Sequence, residues 1–461
     1  MSVRFRIEEL QAICGGEWDV SATVGEIVGI TDDSRVVCEG NLFVCLVGEL
    51  SDGHKYVLNA ARSGAKCVLV ERDLGDEALS ALRELGCGCL RVADCFRAYH
   101  LLAREWRRKF VRLPIVGITG SSGKTSTKEM IASVLEVKYP GGVLKTEGNT
   151  NNFFGVPRNL FRLSDETRCA VIEMGSNKPG EIDRLAWMVE PTTGIVCNIG
   201  PAHLEFFGDL EGVASEKGDL LARTDFDSCV AVPGDCVGLE ILRNHAGARQ
   251  VVTFGTGANC DVRCEYLGVC PGGYGLRLHD VAGGDSIELV WSLGGEHQAV
   301  NASGAAAIGL MFGMTLEDIA VGLRRCTLPG SRMKVEEVEG RHWVNDAYNA
   351  NPDSMRASIT WFMEISSGNR VLVLGDMLEM GEGASCDHRQ LLEWVGSVSE
   401  DARIVTVGPL FGEHASAFGC EHYANSDDAR EALLPSLDED SWILLKGSNG
   451  IGLYKIFPGN A

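Results

Sequence analysis

The stretch GITGSSGKTST, residues 117–127, constrains the fold of this chain more than any other part of its sequence. It overlaps the apolar run PIVGIT, which is typical of a buried strand, and leads into a helix where Met130, Ile131 and Val134 recur at helical spacing. A Gly-rich turn between a strand and a helix presents backbone N–H groups at the positive end of the helix, where phosphates bind. The stretch therefore predicts a phosphate loop in a parallel α/β sheet.

The loop departs from the stricter nucleotide-binding motif, because that motif has glycine at the position of Ile118. We expect Lys124 to contact the terminal phosphates of a nucleotide and the Thr125 hydroxyl to bind Mg²⁺. A Gly-rich turn without a ligand is the alternative, which the Lys-Thr pair and the preceding strand disfavour. The residues expected to contact the nucleotide here are Gly120, Ser121, Ser122, Gly123, Lys124, Thr125 and Ser126.

Two more polar residues follow predicted strands. Glu173 closes the apolar strand CAVIEMG, and His203 follows the strand TGIVCNIG. Because the carboxyl ends of parallel strands meet at one edge of a sheet, we expect both side chains to lie near Thr125 and to bind Mg²⁺. Each has an alternative when taken alone, since a strand-end Glu is often exposed and a lone His is often structural. Their convergence after neighbouring strands favours a site.

A dense polar run, AYNANPDSM, follows the predicted strand HWVND, which ends at Asp346. Pro352 suits the first turn of the next helix, although Asn and Asp at such a point also shape turns. Arg332 in LPGSR and Lys446 in LLKGSNG add donors for an anion near the same sheet edge. Lys217 in ASEKGDLLA is typical of a solvated helix residue on its pattern alone.

Alternating strand and helix patterns predict three domains in the 461 residues, which exceed what one hydrophobic core usually supports. We expect a small N-terminal α/β domain at residues 1–110, a central domain with a doubly wound phosphate-loop ATPase sheet at 111–327, and a Rossmann-like α/β domain at 328–461. The β-rich segment 229–293 is expected to form a meander attached to the central domain, and LPGSR at 328–332 to be a linker.

Composition disfavours several classes of function. A net charge of −22 argues against nucleic-acid binding, which needs a basic stripe. The first residues lack the apolar core of a signal peptide and no apolar run is long enough to span a bilayer, so we expect a cytoplasmic protein without membrane insertion. The 17 cysteines are scattered through strand-like runs such as FVCLV, which predicts reduced, structural thiols.

GITGSSGKTST resembles the GxxGxxGKT loop of the Mur ligases, the ATP-dependent amide-forming ligases of peptidoglycan precursor synthesis. The glycine that the stricter motif needs is normally missing in that family. TEGNTNNFFGVP, VNDAYNANPDSM and VLGDMLEMG resemble the member that joins D-alanyl-D-alanine to UDP-N-acetylmuramoyl-tripeptide. The resemblance runs through all three predicted domains and is strongest in the second and third.

The resemblance implies ATP and two Mg²⁺ ions as cofactors and these two molecules as substrates, and we expect a monomer. Lys217 matches a lysine that is carbamylated in many members, where the resulting anion binds the second Mg²⁺. Asp346 matches an acidic residue of the third domain that closes on ATP. The implied catalytic residues are Lys124, Glu173, His203, Lys217 and Asp346, and the implied metal ligands are Thr125, Glu173, His203 and Lys217.

Further ligand contacts follow from the same resemblance, in which DDSR at 32–35 and DGH at 52–54 are similar to the family's uridine-nucleotide contacts. The implied contacts to ATP are Asn301, Arg332 and Asn349, and those to the substrates are Ser34, Arg35, His54, Asn149, Asn151, Asn152, Tyr348 and Asn351. One departure is His297-Gln298 ahead of Asn301, where relatives often have His-Asn.

Two alternatives stay open at this point. A related ligase would add a different amino acid or act on a folate-like substrate. A nucleotide-gated binding protein without catalysis would be expected to lack some of the implied catalytic residues, and all of them are present.

Overall fold

The computed structural model of the protein describes residues 3–22, 25–48, 51–329 and 334–458. Within them three large sheets follow one another along the chain, each with helices packed on it. The predicted three-domain α/β architecture with a central phosphate-loop sheet is therefore confirmed. The exact domain boundaries stay a prediction, and they fall between consecutive sheets. None of the helices in the described ranges is long and apolar enough to pass through a bilayer.

The N-terminal part forms a two-stranded ribbon and a five-stranded sheet. Its strands are β1 (Arg4–Arg6), β2 (Glu17–Val20), β3 (Glu26–Val28), β4 (Ile30–Thr31), β5 (Leu42–Val44), β6 (Cys67–Val70) and β7 (Gly88–Arg91). Its helices are α1 (Ile7–Cys14), α2 (Val57–Arg62), α3 (Asp76–Glu84) and α4 (Cys95–Arg108). β1 pairs with β3, and the sheet has the order β2-β7-β6-β5-β4, in which β2 is antiparallel and the others are parallel.

The central sheet has nine strands. They are β8 (Ile115–Thr119), β9 (Val143–Lys145), β10 (Cys169–Glu173), β11 (Thr193–Val196), β12 (Cys229–Pro233), β13 (Gln250–Gly255), β14 (Val262–Cys270), β15 (Gly273–Asp280) and β16 (Asp285–Trp291). Their order is β16-β15-β14-β13-β12-β11-β8-β10-β9. Every residue of β8 and β10 is buried, because helices cover both faces of the sheet. The phosphate loop therefore follows a strand in the middle of the sheet, between β11 and β10.

The segment 229–293 differs in part from its prediction as a meander. β14, β15 and β16 do pair antiparallel, but β12 and β13 extend the parallel part of the sheet. The physical reason is the helix α10 (Leu239–Ala246), which supplies the crossover that parallel neighbours need. The strand sequences themselves do not reveal direction, since β-branched residues suit strands of either kind.

The other helices of the central part cover the sheet and carry the loop. They are α5 (Lys124–Lys138), α6 (Gly155–Leu160), α7 (Glu181–Val189), α8 (Leu204–Phe207), α9 (Leu210–Arg223), α11 (Glu296–Met311) and α12 (Leu316–Arg325). The predicted small-residue helix is α11, and its Ala-rich face shares one hydrophobic core with α5. This close packing brings Asn301 to the first turns of α5.

The C-terminal sheet has six strands in the described residues, β17 (Val335–Val338), β18 (Arg341–Asn345), β19 (Arg370–Gly375), β20 (Ala402–Val407), β21 (Glu421–Tyr423) and β22 (Trp442–Lys446). Its helices are α13 (Pro352–Ile365), α14 (Ala384–Val398), α15 (Pro409–Gly412) and α16 (Ser426–Leu433). The order is β17-β18-β22-β19-β20-β21, with only the described edge strand β17 antiparallel. Because β18 and β22 are parallel neighbours, Asp346 and Lys446 meet at their carboxyl ends.

Candidate active site

The phosphate loop is held in shape by the segment that follows β11. The Asn198 side chain accepts a hydrogen bond from Ser122 N at 2.7 Å and donates one to Ser122 Oγ at 2.8 Å. Ser121 Oγ donates to Gly200 O at 2.8 Å. Gly123 has a φ of 74°, and a Cβ there would lie 2.6 Å from Asn301 Oδ1. The loop conformation therefore needs glycine at this position for both its backbone angle and its space.

Lys124 begins α5 and folds back over the loop. Its ammonium donates to Gly120 O at 2.8 Å and to Ser121 O at 3.3 Å. This places the charge over a turn whose backbone already points its N–H groups at the start of a helix. Both features favour a phosphate at this point.

Glu173 lies fully buried beside the first turn of α5. Its Oε1 accepts hydrogen bonds from Thr125 Oγ1 at 3.3 Å and from Asn151 Nδ2 at 2.8 Å. Its Oε2 has no hydrogen-bond partner among the described residues and lies 3.8 Å from Lys128 Nζ. A buried carboxylate oxygen without a donor, next to a hydroxyl, fits a cation with oxygen ligands.

The Lys128 side chain is fully buried and reaches three acceptors and Glu173. It donates to Thr146 O at 2.9 Å and to Gly148 O at 3.3 Å, and it lies 3.1 Å from Glu129 Oε1. The lysine thus ties α5 to the chain segment that carries Asn149 and Asn151.

His203 follows β11 and contacts the C-terminal domain. It has a φ of 52°, and its Nδ1 lies 2.6 Å from Glu379 Oε2. Burial is the main cause that lowers the pKa of His203, and Glu379 opposes it. The neutral imidazole that results is the form that binds metals.

Lys217 is buried beneath the cavity wall. Its Nζ donates to Ser176 Oγ at 2.6 Å and lies over the ring of Phe207. Burial, with a smaller contribution from Lys124, lowers the pKa of Lys217 to about 7. The expectation of a solvated helix residue, drawn from its pattern alone, is wrong, because α9 turns this face toward the sheet.

Asp346 forms a compact cluster with three residues of its own domain. Its Oδ2 accepts from Ser358 Oγ at 2.5 Å and lies 2.9 Å from Lys446 Nζ. Lys446 also donates to Asn349 O at 2.7 Å. The cluster fixes the polar run that follows β18 at the sheet edge.

His297 and Gln298 lie in the first turn of α11, the helix that carries Asn301. Asn301 donates from Nδ2 to Gln298 Oε1 at 3.1 Å, and its Oδ1 accepts from Thr127 at 3.2 Å. Burial lowers the pKa of His297 to about 4, so the ring is neutral near pH 7. Gln298 thus holds Asn301 beside the phosphate loop.

These groups surround one cavity of about 700 Å³ between the central and C-terminal domains. Asn149 Nδ2 donates to Tyr348 OH at 2.5 Å across it. The predicted residues that line it are Ser121, Ser122, Gly123, Lys124, Thr125, Ser126, Asn149, Asn151, Asn152, Glu173, His203, Asn301, Asp346, Tyr348, Asn349 and Asn351. Residues from sequence positions more than 200 apart are thus brought to one site.

The structure does not bring every predicted residue to this cavity. Gly120 and Lys217 lie behind the lining, and Arg332 is outside the described residues. Ser34 and Arg35 are in the N-terminal domain, where Arg35 pairs with Asp33 at 2.7 Å. His54 is buried with Nδ1 2.8 Å from Asp52 Oδ1 and Nε2 accepting from Glu71 N at 3.1 Å. The uridine-nucleotide role of these N-terminal residues stays a prediction.

Sequence reasoning missed three residues that shape the site, Asn198, Lys128 and Glu379. A signal existed for Lys128, because it lies three residues after Thr125 and so on the same face of α5. Asn198 and Glu379 act on residues far along the chain, and no local pattern reports such contacts.

Fold and site together define a three-domain α/β protein with a phosphate loop facing a second domain across a cavity. Residues 118–309 match the Mur ligase middle domain, and residues 331–449 match the Mur ligase, glutamate ligase domain. The chain belongs to the Mur ligase family.

Similar proteins extend this match over nearly the whole chain. The UDP-N-acetylmuramoyl-tripeptide--D-alanyl-D-alanine ligase of Escherichia coli (strain K12) is 34% identical over 432 residues, covering 93% of this chain and 92% of the relative. The same-named ligase of Bacillus subtilis (strain 168) is 31% identical over 439 residues, covering 93% and 92%. The crystal structure of MurF from Acinetobacter baumannii superposes with a TM-score of 0.88 at 30% identity, covering 99% of this chain and 98% of that one.

Proposed function

We propose that this protein joins D-alanyl-D-alanine to UDP-N-acetylmuramoyl-tripeptide in an ATP-dependent reaction, giving the pentapeptide precursor of peptidoglycan. The proposal rests on the cavity of about 700 Å³ in which the phosphate loop faces Asp346 and Tyr348 of another domain. Relatives at 34% and 31% identity bear the name of this ligase, which supports the same substrates.

The site fits a magnesium nucleotide. In the described residues no three His, Cys, Asp or Glu side chains are grouped to hold a metal by themselves. Mg²⁺ does not need such a group, because it is usually bound by one or two carboxylates together with phosphates and water. Thr125 and the donor-free Oε2 of Glu173 would supply the protein oxygens, with His203 at the same edge. Bound there, Mg²⁺ supplies positive charge to the phosphates.

A second cation site would involve Lys217. An amine must be neutral to add CO₂, and the lowered pKa of Lys217 makes that form abundant near pH 7. The carbamate would carry a negative charge next to Ser176 and the ring of Phe207. Carbamylation thus converts a buried amine into an anion that suits a second Mg²⁺.

In the proposed reaction the terminal carboxylate of the tripeptide attacks the γ-phosphate of ATP, which forms an acyl phosphate and ADP. Lys124 stabilises the charge that develops on the transferred group, since it already lies over the loop. The amine of the dipeptide then attacks the acyl carbon, and phosphate leaves. Asn301, Asn349 and Arg332 are proposed to contact ATP, and Asn149, Asn151, Asn152, Tyr348 and Asn351 the peptide substrates.

A three-domain protein can bind the three substrates of these reaction steps separately. We assign the nucleotide sugar to the N-terminal domain at residues 1–110, through Ser34, Arg35 and His54, and ATP to residues 111–327. The domain at 328–461 brings the dipeptide and Asp346 over the phosphates. Closure between these domains excludes water, which would hydrolyse an acyl phosphate. We propose a monomer that works in the cytoplasm.

Mass spectrometry of the reaction products tests the proposed function. Purified protein with ATP, Mg²⁺, UDP-N-acetylmuramoyl-tripeptide and D-alanyl-D-alanine should give UDP-N-acetylmuramoyl-pentapeptide and one phosphate per product. UDP-N-acetylmuramoyl-dipeptide, or single amino acids in place of D-alanyl-D-alanine, should give far less. Faster turnover with either replacement would overturn the assigned substrates.

A further inference from the structure

Four carboxylates line the cavity, and three of them are already engaged by neighbouring groups. Glu173 accepts from Thr125 and Asn151, and Asp346 accepts from Ser358 beside Lys446. Glu181 accepts from the backbone N–H groups of Asn177 and Lys178 at 2.7 and 3.3 Å. For the fourth, Asp353, no hydrogen bond or ion pair joins its carboxylate to any described residue. Asp353 is thus the cavity carboxylate for which neither oxygen is engaged by a described residue.

Asp353 also lies close to the phosphate loop, although it belongs to the C-terminal domain. It is the second residue of α13, which begins at Pro352. A Cβ at Gly200 would lie 2.5 Å from Asp353 Oδ2, and Gly200 is the residue that Ser121 of the loop hydrogen-bonds. The carboxylate therefore lies in the cavity lining, next to the segment that holds the phosphate loop.

The chemistry of the second substrate calls for an anion at this point. D-alanyl-D-alanine enters with a positively charged ammonium, and its nitrogen must reach the acyl carbon next to the loop. A carboxylate binds an ammonium through charge-assisted hydrogen bonds and fixes its position. We propose that Asp353 binds the ammonium group of the incoming dipeptide, an assignment that rests on the proposed function.

Surrounding protein atoms support this assignment. Although the side chain is open to the cavity, partial removal from water raises the pKa of Asp353, while Arg356 of the same helix opposes the rise. An unpaired carboxylate in such surroundings gains more from an ammonium partner than a fully hydrated one does.

An acidic residue in the first turn of a helix also stabilises the helix by itself, and the chain contains a matched case. Asp427 is the second residue of α16, which begins at Ser426 and is capped by Asn425, as α13 is capped by Asn351. Asp427 lies on the surface, paired with Lys455 at 3.2 Å. Asp427→Asn is therefore the control that removes the same helix-terminal charge away from the cavity.

The test makes two measurements on the complete enzyme. The first is the half-saturating concentration of D-alanyl-D-alanine. The second is inhibition by propionyl-D-alanine, an analogue of the dipeptide that lacks only the ammonium group. Asp353→Asn should raise that concentration about 10- to 100-fold, the range expected for a lost charge-assisted hydrogen bond. It should leave inhibition by propionyl-D-alanine within a factor of about 3. Asp427→Asn should change neither.

Two controls separate this assignment from other roles of Asp353. Formation of acyl phosphate from ATP and UDP-N-acetylmuramoyl-tripeptide, trapped with borohydride without dipeptide, should persist in Asp353→Asn, and the Mg²⁺ requirement should not change. An unchanged response to the dipeptide, an equal loss of affinity for propionyl-D-alanine, a loss of acyl phosphate or a raised Mg²⁺ requirement would each overturn the assignment. Wild-type protein that shows no dipeptide-dependent turnover would instead overturn the proposed function.

Discussion

At the scale of single residues, the site contains two buried lysines, Lys128 and Lys217, whose surroundings differ. Lys128 donates to backbone carbonyl oxygens and pairs with Glu129, whereas burial of Lys217 lowers its pKa. Removing one partner of a buried ion pair costs about 3–5 kcal/mol. We therefore expect Lys128→Met to lower the free energy of unfolding in urea by about this amount and to reduce activity strongly. Lys145→Met, which removes the more exposed partner of Glu129, should cost less than about 1 kcal/mol. Equal losses in the two variants would contradict the role of Lys128.

Lys217 makes stability depend on pH. Its pKa of about 7 in the folded protein is below the value of about 10.4 expected when unfolded. Between these values the unfolded chain binds more protons, so stability falls as the pH is lowered from about 10 to 7 and then levels off with respect to this group. As the pH is lowered through that window, Lys217→Met should therefore become more stable relative to wild type. Thermal unfolding in CO₂-free buffer measures this difference. The stability of the surface variant Lys178→Met should depend on pH in the same way as that of wild type. A stability difference between Lys217→Met and wild type that does not change with pH would contradict the lowered pKa.

At the scale of elements, the phosphate loop depends on one glycine for space as well as for backbone angle. Gly123 and Gly141 have φ angles of 74° and 71°, but a Cβ at Gly123 meets Asn301 and one at Gly141 meets nothing within 4 Å. Both alanine variants should lose about 1–3 kcal/mol of stability from backbone strain. Only Gly123→Ala should also weaken binding of ATP, by about 10-fold or more, because the added methyl group displaces Asn301 and the loop. Calorimetric titration with a non-hydrolysable ATP analogue measures this, and equal affinities would refute the role of the loop.

How much of these elements could be predicted depends on whether the signal is local. β8, the loop and α5 follow from GITGSSGKTST, and Glu173 and His203 follow from their places after strands of one sheet. The direction of β12 and β13 could not be read from their residues, because pairing is decided by crossovers and neighbours. The burial of Lys217 could not be predicted from its local pattern for a related reason, since burial of a helix face is set by what packs on it. Asn198 supports the loop from another strand, a contact that no sequence spacing encodes.

At the scale of the whole molecule, polar contacts between side chains join the C-terminal domain to the central domain. Glu379 meets His203 at 2.6 Å, and Tyr266 OH donates to Glu364 at 2.9 Å. We expect the double variant Tyr266→Phe, Glu379→Gln to raise the radius of gyration in small-angle X-ray scattering without ligands. The substrates with an ATP analogue should restore compaction, because they bridge the two domains. Glu382→Gln, a change close to Glu379, should have no effect, and an unchanged radius in the double variant would show that these contacts do not hold the domains together.

In the proposed reaction, the cavity between these domains activates a peptide carboxylate with the γ-phosphate held at Lys124. The most direct measurement uses UDP-N-acetylmuramoyl-tripeptide labelled with ¹⁸O in the terminal carboxylate, with ATP, Mg²⁺ and D-alanyl-D-alanine, and follows the label by mass spectrometry. An acyl phosphate passes one carboxylate oxygen to the phosphate that leaves, so we expect one ¹⁸O in each inorganic phosphate released. Label in AMP, or phosphate without label while the pentapeptide forms, would contradict it.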